Sequence, residues 1–166
     1  MKAIVAVDIK WGIGKNNDLL FSIPEDMKFF REKTANKVVC MGYNTLLSFP
    51  NSKPLKNRVN IVLAPNDVER DDCIIVHSLD ELFTELKKYN DDDIFVIGGA
   101  MFYRTMVDYC SEVYVTKVDA DGEATVFYPN LDEKDNFSLV YTSNDVYSNN
   151  YKINFTTYKN DSPIKY

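Results

Sequence analysis

The chain predicts a single-domain α/β fold built on a largely parallel sheet, and three observations carry that prediction. Short β-branched runs alternate with amphipathic segments through the first two-thirds of the sequence. Two glycine-bearing turns, at Gly42 and at Gly98-Gly99, each stand between an apolar run and a helical pattern. The last two apolar runs then follow one another with only a polar loop between them, as an antiparallel hairpin at a sheet edge would.

The expected strands are Ala3–Val7, Val38–Met41, Val59–Leu63, Ile74–Val76, Ile94–Ile97 and Val113–Val118. The late pair is Phe137–Thr142 and Tyr151–Tyr158, joined by Ser143–Asn150. Helices are expected over Pro24–Thr34, Tyr43–Ser48, Leu79–Tyr89 and Ala100–Tyr109. Ser22 with Glu25 and Ser78 with Glu81 each read as a capping box, and Pro24 suits a first helical turn, where its missing N–H costs nothing. At helical spacing, Ile23, Met27, Phe30 and Thr34 form an inward stripe. One domain over residues 1–160 accounts for all of these elements, and residues 161–166 are expected to fray.

Composition narrows the function. With 166 residues, 45% hydrophobic and 27% charged, the chain can bury a core of its own. No apolar run approaches the roughly 20 residues of a membrane span. The start, Met1 to Asp8, reads as a strand and not as a signal peptide, so a cytoplasmic location is expected; no long exposed apolar stripe demands a partner, so a monomer is expected. A net charge of −6 argues against a nucleic-acid surface. Cys40, Cys73 and Cys110 are widely spaced and read as reduced core residues; with the single His77 they form no convincing zinc set, so no metal is expected.

Five features could carry chemistry. Asp26 lies three residues after Ile23 and four before Phe30, on their side of the helix. It is either a rim acid that offsets the helix dipole or the one polar group of an apolar pocket. Asp8–Leu20, with Gly12 and Gly14, has the composition of a lid or of a plain connection. The turns at Met41-Gly42…Thr45 and Ile97-Gly98-Gly99 each open a helix, an arrangement that can hold a phosphate on free N–H groups or serve simply as a tight turn. Arg58 opens a strand, where a guanidinium suits a carboxylate or merely meets solvent. Thr116 is an ordinary β-former unless its hydroxyl meets a ligand.

Taken in order, Ile4-Val-Ala-Val7, Gly12-Ile-Gly-Lys-Asn-Asn-Asp-Leu19, Ile23-Pro-Glu-Asp26, Met41-Gly42 with Thr45, Arg58, Ile97-Gly-Gly99 and Tyr114-Val-Thr116 resemble the dihydrofolate reductase family over nearly the whole chain. The resemblance implies a central, mostly parallel eight-stranded sheet with a C-terminal antiparallel hairpin and four flanking helices. It also implies NADPH-dependent reduction of dihydrofolate to tetrahydrofolate, by hydride transfer to C6 and protonation of N5, in a protein that takes dihydrofolate and antifolate-type inhibitors.

The same resemblance assigns roles. Asp26 would anchor the pterin and Thr116 would bridge to it. Ile4, Val5, Met27 and Phe30 would wall the ring, Phe49 and Leu55 the aminobenzoyl arm, and Arg58 would take the α-carboxylate of the tail. Ala6, Ile13, Gly14, Asp18 and Leu19 would flank the nicotinamide. Gly42, Tyr43, Thr45, Ile97, Gly98, Gly99 and Ala100 would line the rest of the cofactor, with Tyr103 close by.

Three positions depart from the family pattern. Leu20-Phe21 replaces the Pro-Trp pair that usually ends the lid. Tyr43 replaces the Arg or Lys that often follows Met-Gly, and Ala64-Pro65-Asn66 replaces a Ser- or Thr-rich turn. The last two commonly hold the cofactor 2′-phosphate; His77, Ser78, Lys37 and Arg70 are the candidates to compensate. A pyrimidine reductase of the same fold would not need Asp26 together with Arg58. A non-catalytic folate or nucleotide module would have no use for both a lid and a pocket acid.

Overall fold

The computed structural model describes every residue from Met1 to Tyr166. Its main sheet runs β10-β12-β8-β1-β7-β4-β5-β6, where β1 is Lys2–Val7, β4 Val38–Gly42, β5 Val59–Leu63, β6 Ile74–Val76, β7 Ile94–Val96, β8 Glu112–Val118, β10 Phe137–Thr142 and β12 Tyr151–Asn160. β1 pairs in parallel with β7 and β8, and β4 with β5 and β7. β12 enters antiparallel to β8 and to β10.

Helices cover both faces because the parallel strands are apolar on both. Along β4, Val38 and Cys40 join the larger core cluster, with Leu82 and Leu86 of α3 (Leu79–Leu86) and Phe102 and Met106 of α4 (Ala100–Met106). Val39 and Met41 face the other way, to Phe29 and Phe30 of α1 (Pro24–Thr34) and Leu46 of α2 (Tyr43–Ser48). An uninterrupted apolar run is what a strand covered twice requires.

Several connections carry more structure than their composition suggested. Asp8–Leu20 contains β2 (Gly12–Lys15) and β3 (Asp18–Leu19), which form a second sheet with β9 (Val126–Phe127). Asn16 and Asn17, both at positive φ, make the two-residue turn between β2 and β3. The expected loop Ser143–Asn150 likewise contains β11 (Val146–Ser148), turned into β12 by Asn149 and Asn150, again both at positive φ. The helical run from Leu79 ends at Leu86, and the one from Ala100 finishes as a 3-10 turn over Val107–Tyr109.

Two local expectations are corrected. Ser22 does not cap α1: Ile23 is the N-cap, and the Ser22 carbonyl instead accepts from Asn149 Nδ2 at 2.7 Å. The Glu25 N–H points to Ser148 Oγ at 3.4 Å, so the β11–β12 turn supplies from far along the chain what the capping box would have supplied locally. Ser78 does cap α3, accepting from Glu81 N at 3.1 Å, but the Glu81 carboxylate reaches His77 N rather than closing the box. The second correction concerns residues 161–166, expected to fray. Ile164 N–H bonds Asp108 O at 2.9 Å, the Tyr166 ring stacks on Phe83 at 5.5 Å, and its hydroxyl bonds Asp91 Oδ1 at 2.5 Å.

No helix is long and apolar enough to cross a membrane.

Candidate active site

The period of two along β1 decides what faces α1. Ile4 pairs with Tyr114 of β8 and Ala6 with Thr116, so these four side chains share one face of the sheet. Asp26, in the first turn of α1, looks onto that face and is half-buried. Loss of water around its carboxyl raises its pKa above the usual carboxylate value, and hydrogen bonding toward the Thr116 hydroxyl opposes the shift. Burial is the larger effect, as suits a half-buried carboxyl. Thr116 itself is only 1% exposed.

Val5 is corrected by the same period. Its side chain lies on the opposite face, in the larger core cluster with Val115, so only its backbone can meet a ligand in the cleft. Tyr103 stands in the first turn of α4 beside the glycine turn, its N–H bonding Gly99 O at 2.8 Å. Its hydroxyl donates to Ile4 O at 2.7 Å, under the cleft floor, and the nearby Asp26 charge joins burial in holding the phenol protonated.

The apolar wall is built from Ile4, Phe30, Phe49 and Leu55, which belong to one cluster. Met27 is not part of that packing: it stands 51% exposed at the rim. Phe29, which the stripe omitted, is half-buried instead, stacked on Phe155 of β12 at 4.6 Å and edge-on to Tyr114 at 6.2 Å. It lies three residues after Asp26, so the spacing that turned Asp26 inward also locates Phe29.

Arg58 closes the far end of this wall. Its guanidinium lies 5.8 Å from the Phe30 ring centroid, Nε donates to Thr34 Oγ1 at 2.9 Å, and Nη1 donates to Lys56 O at 3.0 Å. No carboxylate stands within 4.0 Å of it.

The two glycine turns meet. Gly42 N–H bonds Gly98 O at 2.9 Å, and a Cβ on Gly98 would lie 3.1 Å from Thr45 Oγ1, at a φ of +144° that side chains rarely adopt. Neither N-cap residue, Gly42 of α2 or Gly99 of α4, offers a side-chain cap. The first N–H groups of both helices are therefore left for an anion, in a cradle that a larger residue at Gly98 would fill. Ile97 precedes this turn and Ala100 follows it, both half-buried; Tyr43 is half-buried against the α1-side cluster.

The lid residues are dispersed over their hairpin. Gly14 is buried and Ile13 packs on the larger cluster, whereas Asp18 is exposed and Leu19 is 79% exposed. Leu20 and Phe21 abut Gly122, and Phe21 packs edge-on against Tyr151 at 4.9 Å. Asp8, absent from the expected site, ties the base of the lid to the loop that carries Gly122. Its Oδ1 accepts from Lys10 N at 2.8 Å and Gly12 N at 2.7 Å, and its Oδ2 accepts from Gly122 N at 3.0 Å. Its sequence signal was an acid opening a glycine-containing loop.

Of the residues proposed to compensate near Tyr43, Lys37 is paired with Asp93 at 2.8 Å and Arg70 is held by both Asp72 oxygens at 2.6 and 2.9 Å. His77 Nδ1 faces the carbonyls of Ala64 and Pro65, at 3.2 and 3.0 Å. Cys40 and Cys110 are fully buried, while Cys73, expected in the core, is half-buried at the sheet edge; all three are free thiols. No group of three or more His, Cys, Asp or Glu side chains converges as a metal site would require.

Comparison with known proteins agrees with this arrangement. The family profile described as dihydrofolate reductase matches residues 1–160. The chain is 36% identical over 139 residues to the dihydrofolate reductase of Bacillus subtilis (strain 168), covering 82% of this chain and 79% of that one. It is 34% identical over 126 residues to the enzyme of the same name from Buchnera aphidicola subsp. Acyrthosiphon pisum, covering 76% of each. Among solved structures, dihydrofolate reductase from Enterococcus faecalis complexed with NADP(H) and RAB-propyl superposes with a TM-score of 0.86 at 28% identity, covering 97% of this chain and 96% of that one. The profile spans nearly the whole chain, the relatives share about a third of the aligned residues and the solved structure shares its fold, and the chain belongs to the dihydrofolate reductase family of oxidoreductases.

Proposed function

We propose that this chain reduces 7,8-dihydrofolate to 5,6,7,8-tetrahydrofolate with NADPH, supplying one-carbon metabolism. The observation that carries the proposal is Asp26, a half-buried acid whose pKa is raised by burial against the opposing influence of the Thr116 hydroxyl, at one end of an apolar wall that has Arg58 at the other. A pterin carrying a p-aminobenzoyl-glutamate arm has the matching order of groups: a hydrogen-bond-donating edge, an apolar stem and an anionic end.

In this reading the Asp26 carboxylate accepts from pterin N3–H and the 2-amino group, and Thr116 bridges to the latter. A negative charge in that position favours the N5-protonated form of the ring, and water carries the proton to N5. Ile4 and Phe30 hold the ring, with the Val5 backbone beneath it and Met27 at the rim. Phe49 and Leu55 follow the arm, and Arg58 pairs with the α-carboxylate.

NADPH, when bound, supplies the hydride that C6 accepts as the N5=C6 double bond is reduced. The joined turns suit its diphosphate: Gly42, Thr45, Gly98, Gly99 and Ala100 present small residues and backbone donors, with Tyr43 and Ile97 alongside. Ala6, Ile13, Gly14, Asp18 and Leu19 would flank the nicotinamide as the Asp8–Leu20 hairpin closes and excludes water. Tyr103 supports the floor through Ile4 O.

The test is to follow loss of reduced-nicotinamide absorbance with dihydrofolate and NADPH, in the parent and in Asp26→Asn. Clear turnover in the parent is expected, with a fall of at least about a hundredfold in the variant near neutral pH. Equal rates would remove Asp26 from its role, and no turnover in the parent would remove the proposal.

A further inference from the structure

Trp11, the chain's one tryptophan, is held at a φ of +64°, a backbone conformation that bulky residues avoid. Two bonds fix it there: its N–H donates to Asp8 O at 3.1 Å, and its carbonyl accepts from Tyr128 N at 2.8 Å. Strain of this kind points to function, and no step of the proposed reduction uses Trp11. The residue is 7% exposed and lines a cavity of about 310 Å³, where the ends of β1 and β8 meet the start of β12. Lys117 and Asp132 line the same cavity; Asp26, Thr116 and the glycine turns do not.

Trp11 sits in a line of oxidisable rings. Its centroid lies 5.7 Å from Tyr158 and 6.4 Å from Tyr128, and Tyr128 lies 5.0 Å from Tyr103 under the cleft floor. The hydroxyls of these three tyrosines differ in what they can give a proton to. Tyr103 donates to the Ile4 carbonyl, which is not a base, and the buried Tyr128 hydroxyl has no partner. Tyr158 donates to the Asp132 carboxylate at 2.7 Å, within reach of proton transfer. The Lys117 ammonium stands 5.6 Å from the Trp11 centroid and 5.1 Å from that of Tyr158. That positive charge disfavours a radical cation on either ring, so a hole settles only where a proton leaves with the electron. Tyr158 alone meets that condition.

We propose that Trp11, Tyr158 and Asp132 form a one-electron relay that draws oxidising equivalents reaching the cavity away from the cleft floor. The relay does not depend on the reductase reading. A small one-electron oxidant in the cavity, such as the azide radical, takes an electron from the Trp11 indole and leaves as its anion. The Tyr158 phenol then returns an electron to Trp11 while its proton passes to Asp132 Oδ1. The indole is restored, the phenol becomes a neutral phenoxyl, and the carboxylate becomes a carboxylic acid. The Asp132 side chain is 53% exposed and releases that proton to water. An electron from a thiolate, which becomes a thiyl radical, and a proton from water regenerate Tyr158.

The test is pulse radiolysis of the full chain in azide buffer, where the azide radical attacks tryptophan and the single Trp11 is the only source of an indolyl band. In the parent that band is expected to decay by a first-order process independent of protein concentration, with the phenoxyl band rising in step. Tyr158→Phe keeps the ring and should abolish most of the rise, leaving covalent oxidation products on Trp11 in peptide maps. Asp132→Asn keeps a hydrogen-bond acceptor but not a base, and should slow the transfer at least about tenfold. Tyr128→Phe should leave the rate as it is, because the hole moves outward. Thermal unfolding checks that each variant folds, and the exposed Asp132 position keeps the test open if Tyr158→Phe does not. Decay that depends on protein concentration in the parent, a phenoxyl rise at the parent's rate in Tyr158→Phe, an unchanged rate in Asp132→Asn, or a slowed one in Tyr128→Phe would each overturn the proposal.

Discussion

Arg58 donates from Nε to Thr34 Oγ1 at 2.9 Å, and Thr34 in turn donates to Phe30 O one turn earlier in α1. One buried hydroxyl therefore fixes the guanidinium to the helix that carries Asp26, so the proposed anchors for the two ends of the substrate move together. Thr34→Val keeps the shape and removes the acceptor. It is expected to raise KM for dihydrofolate several-fold, to change kcat less than about twofold, and to cost on the order of 1 kcal/mol of stability. Steady-state kinetics with urea unfolding would check this, and an unchanged KM would detach Arg58 from Thr34 functionally.

Asp26 also has a consequence for stability without ligand. Its folded pKa is raised by burial, so between the ordinary carboxylate value and that raised value the folded state binds more protons than the unfolded state. Stability then falls as pH rises through this window, the opposite of a salt-bridged acid. Asp26→Asn should be more stable than the parent at neutral pH, and the gap should close as pH drops below about 4. Thermal unfolding of both proteins from pH 4 to pH 8 is the measurement, and a gap independent of pH would contradict it.

In the proposed cofactor site, the residues that the family resemblance sets at the adenosine end carry no free cation. Tyr43 stands after Met-Gly, Lys37 and Arg70 are occupied by Asp93 and Asp72, and His77 Nδ1 is directed at two backbone carbonyls. The ratio of NADH to NADPH dissociation constants should therefore be smaller than in a relative with Arg at this position. Tyr43→Arg should widen it by roughly tenfold, as a charged hydrogen bond to phosphate would. Fluorescence titration with each nucleotide gives both ratios, and a parent that rejects NADH as strongly as the variant would refute the argument.

How far the sequence led depends on how local each signal was. The bounds Pro24–Thr34 and Tyr43–Ser48, and strands such as Val59–Leu63, came directly from period and punctuation, because burial on a face repeats within a few residues. Asp26 and Arg58 could be singled out as residue types, an acid on an apolar helix stripe and a guanidinium at a strand start, but their local pattern fitted a surface role equally. What failed was either long-range or compact. The α1 cap comes from Ser148 and Asn149, over a hundred residues away. Strands β2, β3 and β11 are short, two of them turned by Asn-Asn pairs, and read as loop. Val5 was grouped with Ile4 through the family resemblance, although neighbours on a strand face opposite ways. The tail docks through the Tyr166 aromatic ring, a partner-dependent contact that polarity along the segment could not reveal.

Asp8 offers the sharpest test of the lid. Its carboxylate is 3% exposed and accepts three backbone N–H bonds, two on Oδ1 from the lid base and one on Oδ2 from Gly122. An asparagine of the same shape can accept on one oxygen only. With Oδ1 kept toward Lys10 and Gly12, its amide would face the Gly122 N–H, donor against donor. The loop carrying Gly122 sits against Leu20 and Phe21, so releasing it loosens both ends of the Asp8–Leu20 segment. Asp8→Asn should fold, because the main sheet does not depend on this bond. Limited proteolysis should cut faster within residues 9–21 and 121–125, and kcat should fall by about tenfold, matching the lower end of one charge-assisted hydrogen bond at about 1.5 kcal/mol. Proteolysis at the parent's rate with a full kcat would show that the lid is positioned by its strand pairing with β9 alone, and not by Asp8.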